Sequence, residues 1–159
     1  MFDAESLLRQ LARHDVEFIL VGGVAAVVHG SVRLTTDLDV VYARTPENID
    51  RLVAAIAPLS PYLRGAPPGL PFRWDAATIH GGLNFTLTTS LGDLDLLGEI
   101  TGGGDYTALR LDTRNIEVFG ISCRCLELDR LIQVKRAAGR AKDLEVIAEL
   151  EALREEGAE

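Results

Sequence analysis

Cysteine is almost absent from this chain. Cys123 and Cys125 are its only two. Two apart on a predicted strand, they point the same way but lie too far apart for an easy disulfide. A reduced, cytoplasmic protein is therefore expected, and two thiols alone do not make a metal site. Histidine is equally scarce: His14, His29 and His80 show no ligand spacing. No apolar run is long enough to cross a bilayer, because the longest, from Phe18 to Val28, is interrupted by Gly22 and Gly23. No basic segment leads into an apolar stretch near Met1, so no secretory signal is expected. An excess of positive charge is missing too. Sixteen Lys and Arg face 24 Asp and Glu, for a net charge of −8, the wrong sign for a protein that coats long nucleic acid. Seven of the acids lie between Asp143 and Glu159, which leaves room for a local basic site elsewhere.

What is present is ordinary globular material. With 159 residues, 47% hydrophobic and 25% charged, the chain can bury roughly 70% of its unfolded surface without staples. A single domain over 1–159 is expected, with a core at about 16–126 and a C-terminal helical segment at about 127–155. The patterning predicts helices over Ala4–His14, Val24–His29, Pro46–Ala57, Asp105–Leu111, Asp129–Ala138 and Lys142–Arg154. Strands are predicted over Glu17–Val21, Leu38–Tyr42, Ala77–Ile79, Asn84–Thr89, Leu94–Leu97, Asn115–Phe119 and Ile121–Leu126. Gly81-Gly82 and Gly92-Asp93 are read as turns. Five prolines between Pro58 and Pro71 predict an irregular loop. The order favours an α+β fold over a doubly wound parallel sheet.

The chemistry concentrates in Asp37-Leu38-Asp39. Residues two apart on a strand share a face, so two carboxylates stand together while Leu38 and Val40 enter the core. Adjacent like charges are unfavourable, and a cation resolves the conflict. The same residues would also suit a solvated edge strand. Asp93-Leu94-Asp95 repeats the pattern, and Asp95 is preferred over Asp93 as a third carboxylate because Asp93 is read as turn. Three carboxylates can hold two metals roughly 3.5–4 Å apart, the arrangement for in-line phosphoryl transfer. Gly22-Gly23 marks a strand-to-helix junction where backbone can approach phosphate. Thirteen residues separate it from Asp37, enough for one short helix and a return strand. Lys135, Arg136, Arg140 and Lys142 gather four cations in eight residues, either an anion site or a solvated helix end. His29 is expected to pack or cap. Arg33, Thr35 and Thr36 could touch phosphate, and Phe72, Trp74 and Tyr106 either stack a base or anchor loops.

Gly22-Gly23, the spacing to Asp37-Leu38-Asp39 and a later strand carboxylate together resemble the nucleotidyltransferase superfamily that includes DNA polymerase beta. The stretch through His29-Gly30-Ser31, Arg33 and Thr35, with Lys135 to Arg140 and Lys142-Asp143-Leu144, is similar to small prokaryotic nucleotidyltransferases. Their relatives include toxins of type IV toxin–antitoxin and abortive-infection systems. The resemblance implies a nucleotidyltransferase fold with a mixed sheet, flanking helices and C-terminal helices. It implies transfer of a nucleoside monophosphate from a nucleoside triphosphate, such as ATP, to a hydroxyl on RNA, protein or a small molecule. Asp37, Asp39 and Asp95 would bind two Mg²⁺ (or Mn²⁺), with Asp95 activating the acceptor. Gly22, Gly23, Ser31, Lys135, Arg140, Lys142 and Asp143 would form the nucleotide site. Family members often carry a second acid three residues after the last of these, where this chain has Val146. A cognate antitoxin or toxin partner is the implied protein partner. A catalytically degenerate binding module or antitoxin subunit is the alternative, and a metal-dependent phosphohydrolase is a further one. Intact acids argue against the first and the missing histidine ligands against the second.

Overall fold

The computed structural model describes residues 2–158. Its seven-stranded mixed sheet grows outward from β1 (Phe18–Val21), a strand buried along its whole length. Apolar side chains on both faces make such a strand central. β1 runs antiparallel to β2 (Asp37–Tyr42) and parallel to β9 (Ile121–Leu126). β9 carries β8 (Thr113–Val118) at one edge. On the other side β2 pairs in parallel with β5 (Gly92–Leu97), then antiparallel β4 (Asn84–Thr89) and the two-residue β3 (Tyr62–Leu63) close the order β3-β4-β5-β2-β1-β9-β8.

Helices flank this sheet. α1 (Ala4–Arg13) buries Leu7, Leu8 and Leu11, and is capped by Asp3, whose Oδ1 accepts from the Ser6 N–H at 3.0 Å. α3 (Pro46–Ile56) starts at the Thr45 cap with proline at its first position and packs on α1. Asn48 is fully buried in this layer. Its side chain accepts from the Glu17 N–H (2.7 Å) and donates to the Glu17 and Ala43 carbonyls (3.0 and 2.8 Å). That tie satisfies backbone groups at the start of β1 and the end of β2. α2 (Gly22–Val28) leaves β1 directly and contacts α6 (Leu128–Ala138), which pairs with α7 (Ala141–Ala158). Gly139, at φ +64°, ends α6 in a left-handed cap.

The sequence expectations meet four differences. Residues 77–79 lie in a helix, α4 (Ala76–Gly81), because Asp75 caps it by accepting from the Thr78 N–H at 2.8 Å and Ile79 turns into the core. Gly92 and Asp93 belong to β5 and not to its turn, because their backbone pairs with Thr89 and Thr88. The proline-rich stretch contains β3, which adds to the sheet edge. Around Gly102, Gly103 and Gly104 a small unpredicted hairpin forms from β6 (Glu99–Ile100) and β7 (Gly104–Asp105), so the helix expected over 105–111 is the shorter α5 (Tyr106–Leu109).

His29, Phe72 and Trp74 all serve packing or anchoring contacts. The His29 ring meets the Leu126 carbonyl at 2.8 Å. Trp74 donates its indole N–H to the Val53 carbonyl at 3.1 Å, and Phe72 meets the Tyr62 ring edge-on at 6.1 Å. The two aromatics anchor the proline-rich loop. Burial pushes the Cys123 and Cys125 thiols up to about 11 and about 12, so both behave as core residues. Among the described residues no helix is long and apolar enough to cross a membrane.

Candidate active site

The parallel register of β2 on β5 sets Asp39 directly opposite Asp95, and Asp37 opposite Asp93. Two strands with the same acid-Leu-acid pattern therefore place their carboxylates on one face, while Leu38 and Leu94 are fully buried beneath. One oxygen each from Asp37, Asp39 and Asp95 lies within 4.8 Å of the others. Asp39 is the innermost. Burial, then the charges of Asp37 and Asp95, push its carboxyl up to about 8. Asp37 is raised too, first by burial and then by Asp95.

Asp39 Oδ1 is buried with no hydrogen-bond partner. An unpartnered buried carboxylate oxygen between two other carboxylates is costly unless a proton or a cation meets it. The donor set is all oxygen, which suits Mg²⁺ or Mn²⁺. The residues present fit a divalent ion.

This arrangement sets a pH dependence. In a metal-free protein the folded pKa of Asp39, about 8, lies above the unfolded value of about 3.9. The folded state then holds the proton more tightly, so protonation favours folding. Stability from this group is fully present below about pH 4 and is lost as pH rises toward and through about 8. Melting in a chelating buffer should accordingly fall from pH 5 to pH 9, and millimolar Mg²⁺ should restore most of the loss. A melting temperature that rises over that interval without metal would contradict this electrostatic picture.

Gly22 sits against the same cluster. Its φ is +67°, and a Cβ there would lie 2.0 Å from Asp39 Oδ2. Gly23 faces Thr35, whose Oγ1 would be 2.8 Å from an added Cβ and which donates to the Asp37 carbonyl at 3.0 Å. The glycine pair thus brings the first turn of α2 onto the carboxylates.

Two cavities meet at this point. One, of about 310 Å³, is lined by Gly22, Gly23, Ser31, Asp37, Asp39 and Asp95 and by the cations Arg33, Lys135, Arg140 and Lys142. The other, of about 350 Å³, shares Gly22, Asp39, Lys135, Arg140 and Asp143 but has apolar walls from Val21, Leu97, Ile100, Leu131, Val134 and Ala138.

The remaining sequence candidates divide by what they touch. Lys135 lines both cavities, with Nζ 3.8 Å from Asp143 Oδ1, and burial lowers its pKa despite the neighbouring acids. Asp143 is 2% exposed and is gripped by Arg140 Nε at 2.6 Å and Nη2 at 3.2 Å. Burial alone would raise the Asp143 carboxyl, but the hydrogen bonds and charge of Arg140 and the charge of Lys135 outweigh it and hold it below the usual range. Its oxygens therefore serve Arg140 and Lys135. The Ser31 hydroxyl donates to Glu149 Oε1 at 2.6 Å, which commits its proton to α7. Lys142 makes no salt bridge among the described residues and lines the carboxylate cavity. Arg136 turns away to pair with Glu151.

Arg64 escaped the sequence reading. Nη2 donates to Asp95 Oδ1 at 2.8 Å and to the Leu87 carbonyl at 2.7 Å, and Nε lies 3.3 Å from Asp93 Oδ2. One arginine among five prolines carries no signal of its own. Only the pairing of β3 with β4 brings it to β5.

No known family model matches the chain, and no curated protein matches it. Among solved structures it is similar to a candidate nucleotidyltransferase from Thermotoga maritima, with a TM-score of 0.58, 15% identity and 94% of each chain covered. At that identity the likeness concerns the fold. The chain has the nucleotidyltransferase fold, a mixed sheet flanked by helices, with three close aspartates on its central strands.

Proposed function

We propose that the protein is a single-domain, metal-dependent nucleotidyltransferase that moves a nucleoside monophosphate from a nucleoside triphosphate to an acceptor hydroxyl, releasing pyrophosphate. The observation that carries this reading is the unpartnered, buried Asp39 Oδ1 inside a three-carboxylate cluster that borders a cavity rich in cations. Acids alone would repel a triphosphate, and cations alone would leave the acids unexplained. Together they match a metal–triphosphate complex.

Asp37, Asp39 and Asp95 would hold the divalent ions, Mg²⁺ or Mn²⁺. Bound there, such ions supply positive charge to the reacting phosphate and lower the pKa of the acceptor hydroxyl. Lys135, Arg140 and Lys142 bind the triphosphate oxygens as charged donors. Asp143 keeps Arg140 and Lys135 in place. Gly22 and Gly23 let backbone approach the phosphates without a side chain between. Asp95 receives the acceptor proton. The apolar cavity beside Asp39 gives room for an uncharged part of a substrate.

The acceptor class is RNA, protein or a small molecule, and a toxin-like role with a cognate antitoxin is the finer reading that the sequence resemblance supports. The three intact aspartates weigh against a degenerate binding module.

The test is incubation with each labelled triphosphate, Mg²⁺ and total cellular RNA or lysate, alongside melting with and without Mg²⁺ plus triphosphate. Label should transfer to an acceptor, and the ligand pair should raise the melting temperature by mass action. Lys135→Ala should reduce that stabilisation, by about 1–3 kcal/mol of binding for a lost charge-assisted hydrogen bond. Neither transfer nor ligand stabilisation in the wild type would overturn the proposal.

A further inference from the structure

Arg64 is built into the edge of the sheet. Its own N–H donates to the Thr86 carbonyl at 2.9 Å, continuing the pairing of Tyr62 with Thr88 and Leu63 with Leu87. The loop behind it is pinned by the contact of Tyr62 with Phe72 and by the bond from Trp74 to Val53. From this base the guanidinium reaches across β4 to β5. Thr88 and Thr86 are the register partners of Asp93 and Asp95, so Arg64 crosses the sheet opposite both acids. Nη2 takes Asp95 Oδ1 at 2.8 Å and the Leu87 carbonyl at 2.7 Å. Nε stands 3.3 Å from Asp93 Oδ2, close enough for charge pairing though not aligned as a hydrogen bond. The Arg64 side chain is 27% exposed and that of Asp95 21%, which shields the pair from full solvent screening.

We propose that Arg64 is a positioning residue for the carboxylate cluster: it spans Asp93 and Asp95, fixes Asp95 through one oxygen so that the carboxylate stays beside Asp37 and Asp39, and uses Asp93 as its outer anchor. Asp93 on this account is not a metal ligand, although it faces Asp37 in the register. The physical need is plain. Asp37 and Asp39 repel Asp95, and an unheld Asp95 side chain would rotate away from them. A planar guanidinium carries several donors at fixed angles and so can hold one carboxylate while touching a second, which a lysine ammonium cannot reproduce. The inference rests on the metal-dependent reading above.

The test uses Mn²⁺ alone as probe, titrated calorimetrically into the wild type, Arg64→Ala, Arg64→Lys, Asp93→Asn and the Arg64→Ala/Asp93→Asn double variant. Transfer kinetics are measured in parallel. Loss of a partner that orients a ligand costs about 10–100-fold in metal affinity or activity. Arg64→Ala should weaken Mn²⁺ binding and lower kcat on that scale, with the triphosphate KM changed much less. Arg64→Lys should not rescue either. Asp93→Asn should have a smaller effect of the same sign, and the double variant should be no worse than Arg64→Ala.

A guanidinium acting only as a counter-charge gives the opposite sign. Arg64→Ala would then tighten Mn²⁺ binding and Arg64→Lys would behave as wild type, and either result overturns the proposal. Asp93→Asn weakening Mn²⁺ binding by a further tenfold in the Arg64→Ala background would make Asp93 a ligand and also overturn it. If the wild type binds Mn²⁺ but these variants fail as described, the function proposed above survives and the role of Arg64 does not. A wild type that binds no Mn²⁺ alone removes the role of Arg64, and the function proposed above falls with it only if the wild type also transfers no label.

Discussion

Asp39→Asn should abolish nucleotide transfer while strengthening the metal-free fold. The substitution keeps the size of the side chain and removes one negative ligand from a cluster whose oxygens lie within 4.8 Å. Loss of one preorganised electrostatic group in a reaction centre costs roughly 10²–10³-fold in kcat, and a ligand at the centre of three should cost at least that. The fold gains because an amide has no charge to desolvate and none for Asp37 and Asp95 to repel, the effects that push the Asp39 carboxyl up to about 8. The gain should grow with pH, small at pH 5 and larger at pH 9, because the wild type pays for ionisation only as it loses the proton. For a chain of this size each 1 kcal/mol shifts melting by about 2–4 °C. The wild type should be stabilised by Mg²⁺ plus triphosphate, and Asp39→Asn much less. Equal ligand stabilisation in both proteins, with transfer by neither, would favour a binding module over an enzyme.

Gly22→Ala should damage fold and site together. At φ +67° an alanine carries a left-handed cost of about 1–2 kcal/mol, and its Cβ would stand 2.0 Å from Asp39 Oδ2 and 2.8 Å from Asp39 Cβ and Cγ. Neither neighbour can yield freely, because Val21 and Asp39 are register partners where β1 pairs antiparallel with β2. The expected loss is about 2–4 kcal/mol, in the range reserved for strained backbone and overpacking. Asp39 must leave its rotamer, so ligand stabilisation should vanish even where the variant remains folded. Gly23→Ala is the control. Its Cβ would meet only the Thr35 side chain, at 2.8 Å to Oγ1 and 3.2 Å to Cβ, which can rotate, and the penalty should be clearly smaller. Similar melting temperatures for Gly22→Ala and wild type would refute the close packing of this glycine on Asp39.

Most of the architecture was legible in local pattern. The helices over 4–14, 46–57 and 129–138 carry caps and apolar stripes that need only neighbours in sequence, and the structure places them within a few residues of those bounds. The expected strand at 77–79 failed because three residues cannot distinguish a strand from one turn of helix. Asp75 and its bond to Thr78 decided the matter. The turn expected at Gly92-Asp93 failed for a related reason: glycine marks the left-handed position at φ +112°, but the backbone of both residues is paired in the sheet.

The sequence by itself determined that Asp37 and Asp39 share a face, because strand geometry has a period of two and Leu38 must be buried. It also determined that a flexible backbone lies thirteen residues upstream, and that a basic cluster interrupts an acidic chain. Tertiary structure decided everything that depends on register. Asp95 stands opposite Asp39 because β2 and β5 pair in parallel, although some fifty residues separate them. Ser31 gives its proton to Glu149 across 118 residues, and Asp143 turns inward to hold Arg140 and Lys135. Arg64 reaches the carboxylates only because a two-residue strand joins the sheet edge. Periodicity fixes which way a side chain points within its own element. Which element becomes its neighbour depends on burial and hydrogen bonding summed over the whole sheet, and no local stretch of sequence carries that sum.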